Sequence, residues 1–216
     1  MEPSLESSDT QVNQQYSYNA GKRLFDFFLA FLASVVLAPV LLGVALAIVV
    51  DDRGPIFYRG SRVGQWGRPF HMWKFRTMLV NADKIGGSST PEDDPRITRV
   101  GRVLRKYKLD ELPQLFNVLE GSMSFVGPRP QVKWAVDLYS EEERQVLTLK
   151  PGISDLASLR FPNEGEILAG SDDPDRDYME LIHPEKMRLS LEYLRRRSFL
   201  FDLRIIAETV WTVIVR

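Results

Sequence analysis

The stretch from Leu24 to Val50 constrains this chain more than any other. It is almost continuously apolar, and Asp26 is its only charge. At about 1.5 Å per residue, a helix of this length reaches across the roughly 30 Å hydrocarbon layer of a bilayer. A soluble core helix this long needs a polar face, and this segment has none, so insertion into a membrane is expected. Pro39 stands in its middle, in Leu37-Ala38-Pro39-Val40. It removes a backbone donor and presses on the preceding turn, which predicts a kink or break. Both flanks are basic, with Lys22 and Arg23 before and Arg53, Arg59 and Arg62 after. Positive flanks favour the cytoplasmic side. A broken helix that dips in and returns satisfies both flanks; a straight span satisfies one. A kinked spanning helix is the alternative, because prolines also occur in those.

Upstream, Met1–Ala20 is rich in Ser, Gln and Asn and has no apolar period, which predicts a disordered tail. It lacks the basic start and short apolar stretch of a signal peptide. With 216 residues, 44% of them hydrophobic, the chain has room for one folded domain beside the apolar segment. The net charge of −1 gives no bulk attraction to nucleic acid. There are no cysteines, which excludes disulfides, thiolate metal sites and cysteine nucleophiles. His71 and His183 are the only histidines, too few for a histidine-rich metal cluster. Candidate chemistry therefore rests on Asp, Glu, Lys and Arg.

Pro55–Arg62 and Phe70–Met78 read as two strands joined through turn residues at Gly64–Pro69, a hairpin. Alternation places Lys74 and Arg76 on one side of the second strand, either as a solvated edge or as a cationic face. Ile85–Pro95 reads as a loop. Arg96–Lys108 reads as a helix with Ile97, Val100, Leu104 and Tyr107 on one face. Arg99, Arg102, Arg105 and Lys106 cover the rest, as an exposed or lipid-facing surface or as a phosphate clamp. Next comes Leu109-Asp110-Glu111-Leu112-Pro113. Pro113 suits the first turn of a new helix that Gly121 would stop. Asp110 and Glu111 then lie at its start, where the dipole favours negative charge and where phosphates also dock. Simple capping by Asp110 explains that placement equally well. Met123–Val126 is a short strand leading into Gly127-Pro128-Arg129-Pro130, whose prolines fix the backbone around one arginine. Such a guanidinium either grips a phosphate or points to water. From Pro184 onward the chain reads as amphipathic helix, suited to the headgroup layer or to the domain core.

Taken in order, these segments resemble the bacterial sugar transferase family, the monotopic phosphoglycosyl transferases. The residues that carry the likeness begin with Lys22-Arg23-Leu24-Phe25-Asp26, Gly54-Pro55-Ile56-Phe57 and Lys74-Phe75-Arg76-Thr77-Met78. They continue through Arg96-Ile97-Thr98, Gly101-Arg102-Val103-Leu104-Arg105, Leu109 to Leu119, Ser124 to Pro130, and Lys150-Pro151-Gly152-Ile153. The resemblance implies an α+β fold: a small mixed helical and β cytoplasmic domain on an N-terminal re-entrant membrane helix, with amphipathic interfacial helices. It divides the chain into a tail (1–20), a re-entrant helix broken at Pro39 (21–52) and a catalytic domain (53–216). Where many members carry tryptophan-alanine-glutamine after the Pro-Gly-Ile, this chain has Ser154-Asp155-Leu156, and Asn163-Glu164-Gly165 follows; the sugar specificity stays open.

The resemblance further implies an enzyme of the bacterial inner membrane, its catalytic domain on the cytoplasmic face. It moves a sugar 1-phosphate from a UDP-sugar to polyprenyl (undecaprenyl) phosphate, releases UMP, and so starts a lipid-linked glycan such as an exopolysaccharide or O-antigen. Asp110 maps onto the nucleophile and Glu111 onto the acid beside it. A carboxylate nucleophile facing a diphosphate needs a cation, and Mg²⁺, with Mn²⁺ as substitute, suits Glu111 with Asp110 as ligands. Arg105, Arg129, Lys74 and Arg76 are the candidates for phosphate oxygens. The expected partners are the UDP-sugar, the polyprenyl phosphate and the bilayer, with no nucleic acid; a homodimer is left open. Two other functions fit the same residues: a membrane-associated phosphohydrolase or diphosphatase, and a non-catalytic membrane adaptor.

Overall fold

The computed structural model describes residues 5–82, 85 and 89–215, and side chains of residues 18–212 within that span. Helices dominate: α1 (Leu5–Val36), α2 (Ala38–Asp52), α3 (Arg99–Lys106), α4 (Gln114–Glu120), α5 (Lys133–Asp137), α6 (Glu141–Arg144), α7 (Leu156–Arg160), α8 (Glu164–Ile167), α9 (Pro174–Asp177), α10 (His183–Arg196) and α11 (Phe199–Val215). Strands β1 (Phe57–Val63) and β2 (Pro69–Phe75) pair antiparallel, while β3 (Ser124–Val126) and β4 (Gly152–Ser154) pair parallel. The α+β class expected from the sequence is the one observed.

The apolar segment forms two helices that meet at Leu37, bent by 62°. The break falls two residues before Pro39, which enters α2 in its first turn, where its missing N–H leaves no vacancy in the ladder. No single helix among the described residues is long and apolar enough to cross a membrane. One side of the pair packs on the domain: Ala30 joins Met72, Leu115, Val118 and Met123, and Val44 and Ile48 join Phe75 and Leu104. The other side leaves Phe28, Leu32, Val36, Leu42, Leu46 and Val50 more than half exposed.

Polar contacts weld this pair to the domain. Asp26, the lone charge of the segment, is buried and accepts from Ser124 Oγ at 2.7 Å and the Phe125 N–H at 3.3 Å. The Arg23 guanidinium donates to the carbonyls of Val118 and Leu119 at the end of α4, where a helix leaves its carbonyls unpaired. Asp202 of α11 accepts from Tyr18, Lys22 and Tyr193 at 2.8, 2.6 and 2.7 Å. Helix α1 begins at Leu5, within the stretch read as a tail, and Tyr18 is already tied down. Extending an anchored helix adds one hydrogen bond per residue fixed, so polar composition alone does not end it.

The hairpin forms with Phe57 opposite Phe75 and Gly60 opposite Met72. The loop expected at Ile85–Pro95 holds turns and bends where it is described; Gly86, Gly87 and Ser88 lie outside the described residues. Helix α3 starts later than its apolar period suggested, because Thr98 caps it by accepting the Gly101 N–H at 2.9 Å. Helix α4 stops at Gly121, whose φ of 91° suits glycine.

The β3–β4 pair explains two of the sequence motifs together. Gly127 N–H donates to the Ser154 carbonyl and Gly152 N–H to the Pro128 carbonyl, both at 3.1 Å. The two glycines lie so close that a Cβ on either would strike the other segment's backbone. Gly127-Pro128-Arg129-Pro130 and Lys150-Pro151-Gly152-Ile153 are thus two halves of one backbone lock, and the lock aims Arg129. Beyond it, the short helices of residues 161–182 form a separate small core around Leu168, Tyr178 and Ile182.

Candidate active site

Asp110 and Glu111 lie in a short 3-10 turn, Leu109–Glu111, just ahead of α4. Lys108 before them is in the left-handed region, with φ of 56°. That conformation costs a non-glycine residue roughly 1–3 kcal/mol and concentrates at functional sites. Its effect is to turn the chain so that Asp110 and Glu111 face one open cleft. Lys74, Arg105, Lys108 and Arg129 line the same cleft.

The two carboxylates are treated very differently. Glu111 is saturated: Lys74 Nζ donates to Oε1 at 2.8 Å, Arg129 donates to Oε1 and, at 3.2 Å, to Oε2. Burial alone would raise its pKa, but Arg129 and Lys74 outweigh burial and hold the carboxyl well below the usual range. In return, the Glu111 charge raises the Arg129 pKa. Asp110 is buried at 7% exposure, and its nearest cation, Lys74, stands 3.8 Å away. Its carboxylate accepts no hydrogen bond among the described residues. Burial raises its pKa; Lys74 and Arg105 pull the other way and Glu111 adds to the rise. Asp110 caps no helix: Lys108 precedes the 3-10 turn, Pro113 precedes α4, and neither terminus has a side-chain cap. The capping explanation left open by the sequence therefore fails. So does the helix-dipole argument, since α4 begins three residues past Glu111 and has only 7 residues.

All four cations expected to meet phosphate line this cleft. Lys74 and Arg129 flank the carboxylates, and Arg105 reaches the cleft with one hydrogen bond, to the Thr90 carbonyl at 3.3 Å. Desolvation pushes the Arg105 pKa down, the position of a cation short of a counter-charge. Arg76 differs from Lys74 and Arg129 in its acidic partner, which is Asp52 and not Glu111. Strand β2 ends at Phe75, so alternation no longer sets the direction of the next side chain. Arg76 is buried and pairs with Asp52 at the end of α2. It ties the apolar helix to the domain through Nη2, while its buried Nε and Nη1 have no hydrogen-bond partner among the described residues. Reading the sequence missed Lys108, for which left-handed geometry gives no local signal, and it missed Glu164 and Lys186, which also line the cleft.

With this geometry in view, comparison with known proteins decides the family. The chain matches the model of the bacterial sugar transferases over residues 17–216. The chain belongs to the bacterial sugar transferase family. It is 38% identical over 199 residues to the UDP-glucose:undecaprenyl-phosphate glucose-1-phosphate transferase of Escherichia coli (strain K12), covering 88% of this chain and 39% of that protein. It is 33% identical over 196 residues to the UDP-N-acetylgalactosamine-undecaprenyl-phosphate N-acetylgalactosaminephosphotransferase of Aeromonas hydrophila, covering 89% and 43%. It is 35% identical over 204 residues to the exopolysaccharide production protein ExoY of Sinorhizobium fredii, covering 88% and 83%. The chain thus spans about two-fifths of the first two relatives and most of the third.

The donor set suits a divalent cation bound in part by substrate. No group of three or more acidic or histidine side chains is poised around a metal among the described residues. Asp110 and Glu111 make a two-carboxylate set, and Mg²⁺ commonly takes one or two carboxylates plus substrate phosphate. Both Glu111 oxygens already face cations, so a bound ion would share that carboxylate with Lys74 and Arg129.

Proposed function

We propose that this chain transfers a sugar 1-phosphate from a UDP-sugar to a polyprenyl phosphate, with Asp110 as covalent nucleophile. One observation carries the proposal: a buried Asp110 carboxylate accepts no hydrogen bond among the described residues, in a cleft lined by Lys74, Arg105, Lys108 and Arg129. A structural carboxylate at such depth is satisfied by donors; one that must form a bond to phosphorus keeps its oxygens free. The names of the relatives support the donor and acceptor classes, and their different sugars leave the sugar open.

In the first step an Asp110 oxygen bonds to the β-phosphorus of the donor. The bond from that phosphorus to the bridging oxygen breaks, and UMP leaves with the electron pair. In the second step an oxygen of the polyprenyl phosphate bonds to the same phosphorus and the Asp110–phosphorus bond breaks. The carboxylate is restored and the sugar is joined to the lipid through a diphosphate. Arg129 and Lys74, held by Glu111, stand where charge develops on the phosphoryl oxygens. Arg105 and Lys108 offset the repulsion between the donor's phosphates and the carboxylates. Mg²⁺ or Mn²⁺, held by Glu111 with Asp110, would supply further charge compensation at the diphosphate.

The same proposal seats α1 and α2 in the cytoplasmic membrane as a re-entrant pair, with the cleft on the cytoplasmic side. The 62° bend, the basic flanks and the exposed apolar face support it. So does length: α2 has 15 residues, about 22 Å, short of the roughly 30 Å core. Helix α11 adds exposed Leu200, Val210 and Trp211, suited to the interface. The decisive assay is UMP release from a panel of UDP-sugars with polyprenyl phosphate, run beside mass analysis of the protein given donor alone. Donor-dependent UMP and a phosphosugar on Asp110 are expected; release of free sugar phosphate to water as the main product would favour a hydrolase. For topology, Ser17→Cys and Arg68→Cys, introduced singly into this cysteine-free chain, should both resist an impermeant external thiol reagent in intact cells. Labelling of one alone would show a span.

A further inference from the structure

We propose that Glu164 and Lys186 form the subsite that reads the hydroxyl pattern of the donor sugar, an inference that rests on the transferase reading above. Lys186 Nζ donates to Glu164 Oε1 at 2.8 Å, and the Lys186 side chain is 7% exposed. One ammonium N–H is used; the others, and Glu164 Oε2, have no hydrogen bond among the described residues. Tyr178 and Gln131 complete the wall. The Lys186 ammonium lies 5.1 Å from the centre of the Tyr178 ring, and Gln131 donates to the Tyr178 hydroxyl at 2.8 Å. All four line the cleft that holds Asp110.

Three arguments point to the sugar. The first is position. Gly165, next to Glu164, packs beside the Thr90 carbonyl that accepts from Arg105, so Glu164 sits at the cation-lined part of the cleft. In the donor the sugar is attached through a single oxygen to the phosphorus that Asp110 attacks, so it must lie within reach of that point. The second is charge. Glu164 and Lys186 compensate each other, so the pair offers a phosphate no net attraction, while Arg105 and Lys108 do. A carboxylate, ammonium, phenol and carboxamide together offer the donors and acceptors that neutral hydroxyls need. The third is energetics. A buried ion pair usually gains little stability over well-packed apolar residues, because desolvation offsets the attraction. A pair with unused donors and acceptors inside a cleft is better explained by a ligand that completes it. A site built to bond a hydroxyl also rejects an analogue that misplaces it, since its buried groups are then left unpaired.

Glu164 and Tyr178 belong to the segment with its own small core, Leu168, Tyr178 and Ile182, while Lys186 comes from α10. Two bonds clasp that segment to the loop across the cleft: Ser89 N–H to Asp175 at 2.7 Å and Glu92 N–H to the Gly165 carbonyl at 3.0 Å.

The test is kcat/KM for UMP release from UDP-glucose, UDP-galactose, UDP-N-acetylglucosamine and UDP-N-acetylgalactosamine, in wild type, Glu164→Gln and Lys186→Met. The ratio between the best and second-best sugar should change by roughly 10- to 100-fold, the scale of one hydrogen bond to a charged group. An equal loss for all four sugars would make the pair merely structural and overturn the proposal. If a variant does not turn over, its binding of UDP-sugar is compared with its binding of UDP. Weakening confined to the sugar-bearing ligand supports the subsite, and equal weakening of both overturns it. A wild-type chain that releases no UMP from any of the four would instead sink the transferase reading, and this inference with it.

Discussion

Two regions of this protein bury carboxylates, and they use them in opposite ways. On the anchoring side, Asp202 accepts from Tyr18, Lys22 and Tyr193, and Asp26 accepts from Ser124 and the Phe125 N–H. Each is saturated, and each ties the apolar helix to the domain. On the cleft side, Asp110 is buried with no donor within hydrogen-bonding range among the described residues, although Lys74 stands 3.8 Å away. Burial depth alone does not distinguish the two; the count of donors does. Asp26 and Asp202 are held by donors while Asp110 stands among cations with none, and the proposed role of Asp110 rests on that contrast.

The comparison breaks most visibly at Asp110. Asp110→Asn should leave a folded protein and lower UMP release by roughly a thousandfold or more, the scale on which loss of a reacting group is felt. A folded variant with near-normal turnover would show that Asp110 is no nucleophile. Asp202→Ala tests the other side. It strands Lys22 and two tyrosines at a buried junction and should cost about 3–5 kcal/mol of stability, read as the shift of a denaturation curve in detergent. Loss of activity without loss of stability would contradict the anchoring role. Gly152→Ala is expected to act between these, through the backbone lock that aims Arg129. A methyl there meets the Gly127 backbone, and overpacking of this kind costs about 1–3 kcal/mol. Turnover should fall with it, because Arg129 moves off the position set by Glu111.

Much of this was legible from residues. The hairpin, α3, α4 and the C-terminal helices follow apolar periods and punctuating Gly and Pro. The Asp110–Glu111 pair stands out through its ordered neighbours. What was not legible has physical causes. The parallel partner of β3 is Gly152–Ser154, too short to show alternation and distant in sequence. Residues 161–182 fold as two helices of four residues and one five-residue π-turn, below the length at which a period can be read. The pairing of Arg76 with Asp52 was not foreseen, because alternation was carried one residue past the end of β2. The break at Leu37 was expected from Pro39; the anchoring of the preceding polar helix was not, since Asp202, its partner, lies 180 and 184 residues from Lys22 and Tyr18 along the chain.

The smallest expected effect is the most discriminating, because the two neighbouring carboxylates should respond to pH with opposite sign. The Asp110 pKa is raised in the folded protein. Its favourable contribution is therefore present below the unfolded pKa and is lost as pH rises through the folded one, so near neutrality the ionised form lowers stability. The Glu111 pKa is lowered well below its usual value. Its contribution is present above the unfolded pKa and is lost as pH falls through the folded one. Thermal midpoints measured from neutral pH downward through the carboxylate range should separate the two. Asp110→Asn should match or exceed wild type near neutrality, with the advantage shrinking in acid. Glu111→Gln should fall below wild type near neutrality, with the deficit shrinking in acid. Activity adds a second axis: the acid limb of kcat/KM should lie above the ordinary aspartate range, because Asp110 must lose its proton to attack. If both substitutions shift stability in the same direction at neutral pH, the division of labour between the two carboxylates is wrong, whatever the activity of either variant.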